Sequence, residues 1–155
     1  MAGVFTAGAG SPASAVLLSA EAEGRTVLLE HEVYAVLASA GIDVPRHRLV
    51  ADPAAIDTSL CAALGSEEAV VKIASPDHLH KSDVGGVVLC RNEPAPLREA
   101  AAQVLAAARA ASPRARLFGV LVVERVRFRA GTGREVLAAF RHDPAFGPVV
   151  VLGVG

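Results

Sequence analysis

The stretch Val70-Val71-Lys72-Ile73-Ala74-Ser75-Pro76-Asp77-His78-Leu79-His80-Lys81-Ser82-Asp83-Val84-Gly85-Gly86-Val87 concentrates the side chains of this chain that can do chemistry. Lys72 interrupts an apolar run. A buried strand rarely carries a charge, so its ammonium is expected to reach out at a strand face or sheet end towards an anion. The segment behind it supplies two imidazoles (His78, His80), a second ammonium (Lys81), a carboxylate (Asp83) and the pair Gly85-Gly86. Neutral imidazole can accept a phosphoryl group, and glycines let backbone amides approach phosphate oxygens with no Cβ in the way. The pattern predicts a phosphate-type anion site contacted by Lys72, Lys81, Gly85 and Gly86. His80 is the candidate catalytic residue, as relay, ligand contact or loop organiser. Asp83 either orients His80 or Lys81 or fixes the turn through its own backbone. From residue types alone Lys72 reads rather as a strand-end lysine in water; His78 is expected to be exposed.

The elements that must hold these groups follow from periodicity. Val70 to Ile73 and Val87 to Leu89 are short β-branched or aliphatic runs, which predicts a hairpin with a polar loop from Ser75 to Gly86. Upstream, Leu29, Val33, Val36, Leu37 and Ala40 recur at helical spacing, with Thr26 as cap and Gly41 as stop. A strand is expected around His47 to Val50. Asp52-Pro53 reads as the start of a helix carrying Ile56, Leu60, Ala63 and Leu64, ended by Gly65. Downstream, Pro94 and Pro96 introduce a helix that Ser112-Pro113 stops. Strands are expected at Leu117 to Val126, Arg134 to Arg141 and Val149 to Leu152, with loops at Arg127 to Gly133 and Asp143 to Pro148. Residues 1–24 read as a flexible lead-in of small residues. Gly8-Ala9-Gly10-Ser11-Pro12-Ala13 satisfies the dinucleotide-binding fingerprint, but almost no strand precedes it, so it counts as part of that tail.

Composition narrows the class. A chain of 155 residues fits one ordinary domain, and its hydrophobic fraction of 52% is heavy in alanine, which predicts a core of Val, Leu and Ala. Fifteen Lys and Arg against sixteen Asp and Glu leave no general basic surface for nucleic acid. Cys61 and Cys90 are too few for a disulfide framework, which points to a reduced, cytoplasmic protein. His78, His80 and Cys90 lack metal-ligand spacing. No apolar run is long enough to span a membrane. Ala13-Ser14-Ala15 mimics a signal-peptidase site, but no basic segment precedes it.

Val71-Lys72-Ile73, Ser75-Pro76-Asp77 and His80-Lys81-Ser82-Asp83-Val84-Gly85-Gly86-Val87 together resemble the ATP-grasp domain of nucleoside-diphosphate-forming acyl-CoA synthetases, which include ADP-forming acetate–CoA ligases. Ala40-Gly41-Ile42-Asp43-Val44-Pro45 is similar to the helix-to-strand step that opens that fold, and Asp143-Pro144-Ala145-Phe146-Gly147-Pro148 to one of its later loops. The resemblance implies an α/β protein with the first ATP-grasp subdomain over 25–120 and the opening strands of the second over 121–155. It implies Lys72 on the phosphates of ATP and Glu124, in Val122-Val123-Glu124-Arg125-Val126, beside the adenine. Glu135 matches a family glutamate, and Asp143 and Phe146 are expected to shape a loop near the site, Phe146 as core. The implied reaction joins a small carboxylic acid to CoA with cleavage of ATP to ADP and phosphate, through acyl phosphate and phosphohistidine. The family's magnesium ligands and CoA-binding portion are expected outside this chain, which therefore reads as a truncated or split ligase subunit needing a CoA-binding partner. Its last strand would leave an open edge for self-association. The rival readings are a non-catalytic nucleotide-binding or assembly fragment, and the regulatory ATP-grasp part of a protein acyltransferase.

Overall fold

β-Branched runs alternating between a dry and a half-dry face build the sheet that carries the candidate site. The computed structural model describes residues 11–78, 80–127 and 135–154. Helices α1 (Pro12–Ala22) and α2 (Glu30–Ser39) precede strand β1 (His47–Val50) and a 3-10 turn (Pro53–Ala55). Helix α3 (Thr58–Leu64), strand β2 (Glu68–Ala74), a second 3-10 turn (Lys81–Val84) and strand β3 (Val87–Arg91) follow. Helix α4 (Pro94–Ala111) leads to β4 (Gly119–Glu124), then β5 (Val136–Asp143) and β6 (Gly147–Val154). Strands β1, β4, β2 and β3 lie side by side in that order, all antiparallel, while β5 and β6 form a separate antiparallel pair. The expected α/β class and the β2–β3 hairpin are both present.

Ala69, Val71 and Ile73 turn to one face of the sheet and are fully buried with Val120 and Val122 of β4. Leu97, Ala100, Ala101, Val104 and Ala108 of α4 pack on that face beside Ile56, Leu60 and Leu64. Three alanines in the α4 stripe let the helix approach closely, so the small-residue composition becomes a thin, dense core. Lys72 falls on the opposite face, paired across the strands with Leu121 and Val87. Gly119 opens β4 at φ 115°, where an added Cβ would stand 2.2 Å from the Val50 carbonyl oxygen. Only glycine fits that crossing.

Several local expectations are corrected. The small-residue lead-in contains an eleven-residue helix, α1, capped by the Ser11 hydroxyl, which accepts from Ser14 N at 3.1 Å, with Pro12 at its first position. The fingerprint-like glycines Gly8 and Gly10 lie outside the described residues, and Ser11-Pro12-Ala13 is the start of this helix. Helix α2 starts at Glu30 rather than behind Thr26: Leu29 holds the cap position and its amide donates to the Glu32 carboxylate at 2.6 Å. Asp52-Pro53 opens only a 3-10 turn, and Asp57 caps the true helix, accepting from Leu60 N at 3.0 Å. Gly65 ends α3 in the left-handed conformation, as expected. The loop expected over Arg127 to Gly133 lies, beyond Arg127, outside the described residues.

Contacts divide the chain into residues 1–125 and 126–155. The break falls after β4, not before it, because Val120 to Val123 are the central rungs of the first sheet. In the second unit Val136, Leu137, Val150, Leu152 and Val154 are all more than half exposed.

Candidate functional site

Lys72, on the open face of β2, and Lys81, at the start of the 3-10 turn that follows, meet on a single carboxylate. Glu30, the first residue of α2, accepts from Lys72 Nζ at 2.6 Å through Oε1 and from Lys81 Nζ at 2.7 Å through Oε2. The Tyr34 hydroxyl, one turn further along α2, donates to the same Oε1 at 2.7 Å. Both lysine side chains and the glutamate keep a fifth to a quarter of their surface in water. Burial works to raise the Glu30 carboxyl, and the hydrogen bonds from Lys72, Lys81 and Tyr34 outweigh it, holding it at about 2 against an ordinary 4.5. Burial and the bond to Glu30 push the Tyr34 phenol up.

This cluster forms one wall of an open cleft of about 620 Å³ lined by Glu30, Lys72, His80, Lys81, Ser82, Asp83 and Val87. Four of the residues singled out in the sequence, Lys72, His80, Lys81 and Asp83, are therefore brought together. His80 is exposed and stands at the cap of the 3-10 turn, its carbonyl accepting from Asp83 N at 3.2 Å. Asp77 anchors the start of the loop, holding Arg116 through its backbone N–H at 2.7 Å and its guanidinium at 3.0 Å.

The glycine pair acts differently from expectation. Gly86 N donates to Lys81 O at 2.8 Å, and Gly85 N to Ser82 O at 3.2 Å, so both amides are engaged inside the loop instead of facing the cleft. Gly86 is buried, and a Cβ there would meet Ile73 Cγ2 at 2.7 Å and Lys81 O at 2.8 Å. Gly85 turns through φ 66°. The pair is a loop-closing device that presses Lys81 against β2.

Other expected residues lie elsewhere. Glu124 pairs with Ala69 in the register, so it is on the core side of the sheet rather than the Lys72 side. It accepts from Arg46 N at 2.7 Å and Arg46 Nε at 2.8 Å, tying β4 to the entry of β1. Glu135 is exposed at the foot of β5 in the second unit. Asp143 accepts from Ala145 N at 2.9 Å and shapes the turn to β6, while Phe146, expected in a core, is 84% exposed. His78, read as exposed, is 5% exposed with Nε2 unpartnered. It lines a neighbouring pocket of about 290 Å³ together with His31, Ser75 and Lys81. Among the described residues no group of three or more His, Cys, Asp and Glu stands together as a metal site. No helix among them is long and apolar enough to cross a membrane. Sequence reasoning missed Glu30 and Tyr34. The available signal was an acidic residue opening a helix just upstream of two loop and strand lysines.

The chain is 35% identical over 133 residues to the ADP-forming 4-hydroxybutyrate–CoA ligase of Nitrosopumilus maritimus (strain SCM1), covering 86% of this chain and 18% of that protein. It is 35% identical over 136 residues to the β subunit of ADP-forming acetate–CoA ligase II of Pyrococcus furiosus (strain ATCC 43587 / DSM 3638 / JCM 8422 / Vc1), covering 86% of this chain and 54% of that subunit. Among solved structures, the dinucleotide-forming acetyl-coenzyme A synthetase 1 of Ca. Korarchaeum cryptofilum, in complex with coenzyme A, Ca-AMPCP and HgCl+, superposes with a TM-score of 0.81 at 34% identity, over 92% of this chain and 60% of that one. The chain thus spans about half the length of the subunit it matches and under a fifth of the longer ligase. A family model described as an ATP-grasp domain matches residues 19–155, and the chain belongs to that ATP-grasp family.

Proposed function

We propose that this chain is the ATP-binding portion of an ADP-forming acyl-CoA synthetase acting, in the cytoplasm, on a small carboxylic acid with CoA and ATP. The observation that carries the reading is the convergence of Lys72 and Lys81 on one carboxylate at the wall of a cleft that also holds His80 and Asp83. Two ammoniums on neighbouring elements match the oxygens of adjacent phosphates and neutralise charge that builds up as a phosphoryl group moves. His80 contributes an exposed imidazole to the same cleft, placed to receive the phosphoryl group or to hydrogen-bond it in transit. Magnesium, which this chemistry employs to screen the phosphates, would take its ligands from outside the described cluster, as would CoA from a partner ligase subunit or domain.

The test is titration of the purified chain with Mg-ATP, following heat of binding and the thermal midpoint. Wild type should be stabilised by about 2.7 kcal/mol at a hundredfold excess over Kd, and Lys72→Ala should lose that stabilisation while remaining folded. A folded wild type showing neither heat nor a shifted midpoint would overturn the reading and favour an assembly role for this segment.

A further inference from the structure

We infer that Glu30 is the positioning residue of the phosphate cleft: its carboxylate fixes the spacing of the Lys72 and Lys81 ammoniums and straps the glycine loop to helix α2. The inference rests on the phosphate-binding reading of that cleft. Three separate elements meet on this one side chain, since Lys72 comes from β2, Lys81 from the loop, and Tyr34 from α2 itself. Lys72 needs little help, because its strand is paired on both sides. Lys81 differs. Its backbone carbonyl closes the loop by accepting from Gly86 N, and Glu30 is the side-chain partner of its ammonium. Two like charges this close repel one another, and a carboxylate between them offsets that repulsion and aims both at one place.

The carboxylate is itself held. The Tyr34 hydroxyl shares Oε1, and the first position of a helix favours a negative charge. The two carboxylate oxygens each take one ammonium, which holds both lysines on a single group at the cleft wall. Glu30 therefore acts through the lysines, not by touching the nucleotide.

The experiment reads position and binding separately. In the nucleotide-free chain the side-chain 15N ammonium signals of Lys72 and Lys81, assigned with Lys→Arg variants, are expected to be protected from exchange in wild type and to be lost together in Glu30→Gln. In calorimetric titration with Mg-ATP and with inorganic pyrophosphate, Glu30→Gln should bind about tenfold or more weakly, Glu30→Asp should recover part of that loss, and Lys81→Ala should add little to Glu30→Gln. Equal or tighter binding by Glu30→Gln would overturn the inference, because Glu30 would then be competing with the phosphates. So would additive effects of Glu30→Gln and Lys81→Ala. Should Glu30→Gln fail to fold, Glu30→Asp carries the test: an unchanged Kd together with unchanged ammonium signals overturns it. If Lys72→Ala binds ATP as wild type does, the phosphate reading fails instead, whatever the ammonium signals show.

Discussion

Glu30 and Glu32 stand two residues apart at the start of α2, and each carboxylate accepts three hydrogen bonds, yet they do different work. Glu32 accepts two hydrogen bonds from the Arg25 guanidinium, at 2.6 and 2.7 Å, and one from Leu29 N. Arg25 is 6% exposed, also bonds Glu23 and the Val27 carbonyl, and lies 5.7 Å from the Phe118 ring centre. That cluster faces inward, joining α1, α2 and the approach to β4. Glu30 gathers mobile-chain ammoniums at the edge of an open cleft. The lesson is that a planar guanidinium fork suits a permanent joint, whereas two point-charge ammoniums on one carboxylate keep further N–H donors for a second anion.

The largest effect should come from breaking the inward cluster. Arg25→Ala leaves the Glu32 carboxylate without its guanidinium partner in a half-buried position and should destabilise the chain by about 3–5 kcal/mol, measured by urea denaturation. The double variant Arg25→Met/Glu32→Leu removes both charges and should recover most of the loss. A loss below 1 kcal/mol for Arg25→Ala would erase the distinction between the two clusters.

Acid should sharpen it. The folded Glu30 carboxyl takes its proton at about 2 and the unfolded one near 4.5. Between those values the unfolded chain binds more protons, so the contribution of this group is complete above about 4.5 and is lost as pH falls towards 2. The shift corresponds to about 3 kcal/mol at the upper end, and Glu30→Gln should flatten the stability profile over that window. Glu32 is also held low: burial raises its carboxyl, and the bonds from Arg25 and Leu29 N outweigh that. Acid sensitivity remaining in Glu30→Gln is therefore shared by Glu32 and the other carboxylates held low by their partners, Asp57, Asp77 and Glu124.

Much of this was legible in the sequence because it is local. The β2–β3 hairpin and α4 follow from runs of apolar residues bounded by prolines and glycines, and Lys72 stood out as a charge within an apolar run. The Glu30 link was not legible, because its partners are 42 and 51 residues away and only the fold brings them together. The Glu124–Arg46 pair was not legible for the same reason: the two residues are 78 apart in the chain. Helix α1 was missed because alanine and serine without an amphipathic stripe look like a tail, yet Ser11 and Pro12 supply a cap and a preset first turn. Gly86 was read for its amide, when its missing Cβ against Ile73 is what the loop needs.

His78 supplies the contrasting case of a polar group buried with no partner. Both carboxylates of α2 accept hydrogen bonds, but His78 Nε2 is buried and unbonded beside Ile73, Leu29 and Leu121 in a largely apolar pocket. An unsatisfied buried nitrogen costs more than an apolar group of similar volume at the same place. His78→Leu should therefore raise stability by about 1 kcal/mol, seen as a higher urea midpoint at unchanged slope. Because His78 shares its pocket with Lys81 but makes no bond to it, Mg-ATP affinity should change by less than about twofold. A variant that lost both stability and affinity would show that the imidazole is supporting the lysine loop after all, and would extend the outward cluster from Glu30 into the neighbouring pocket.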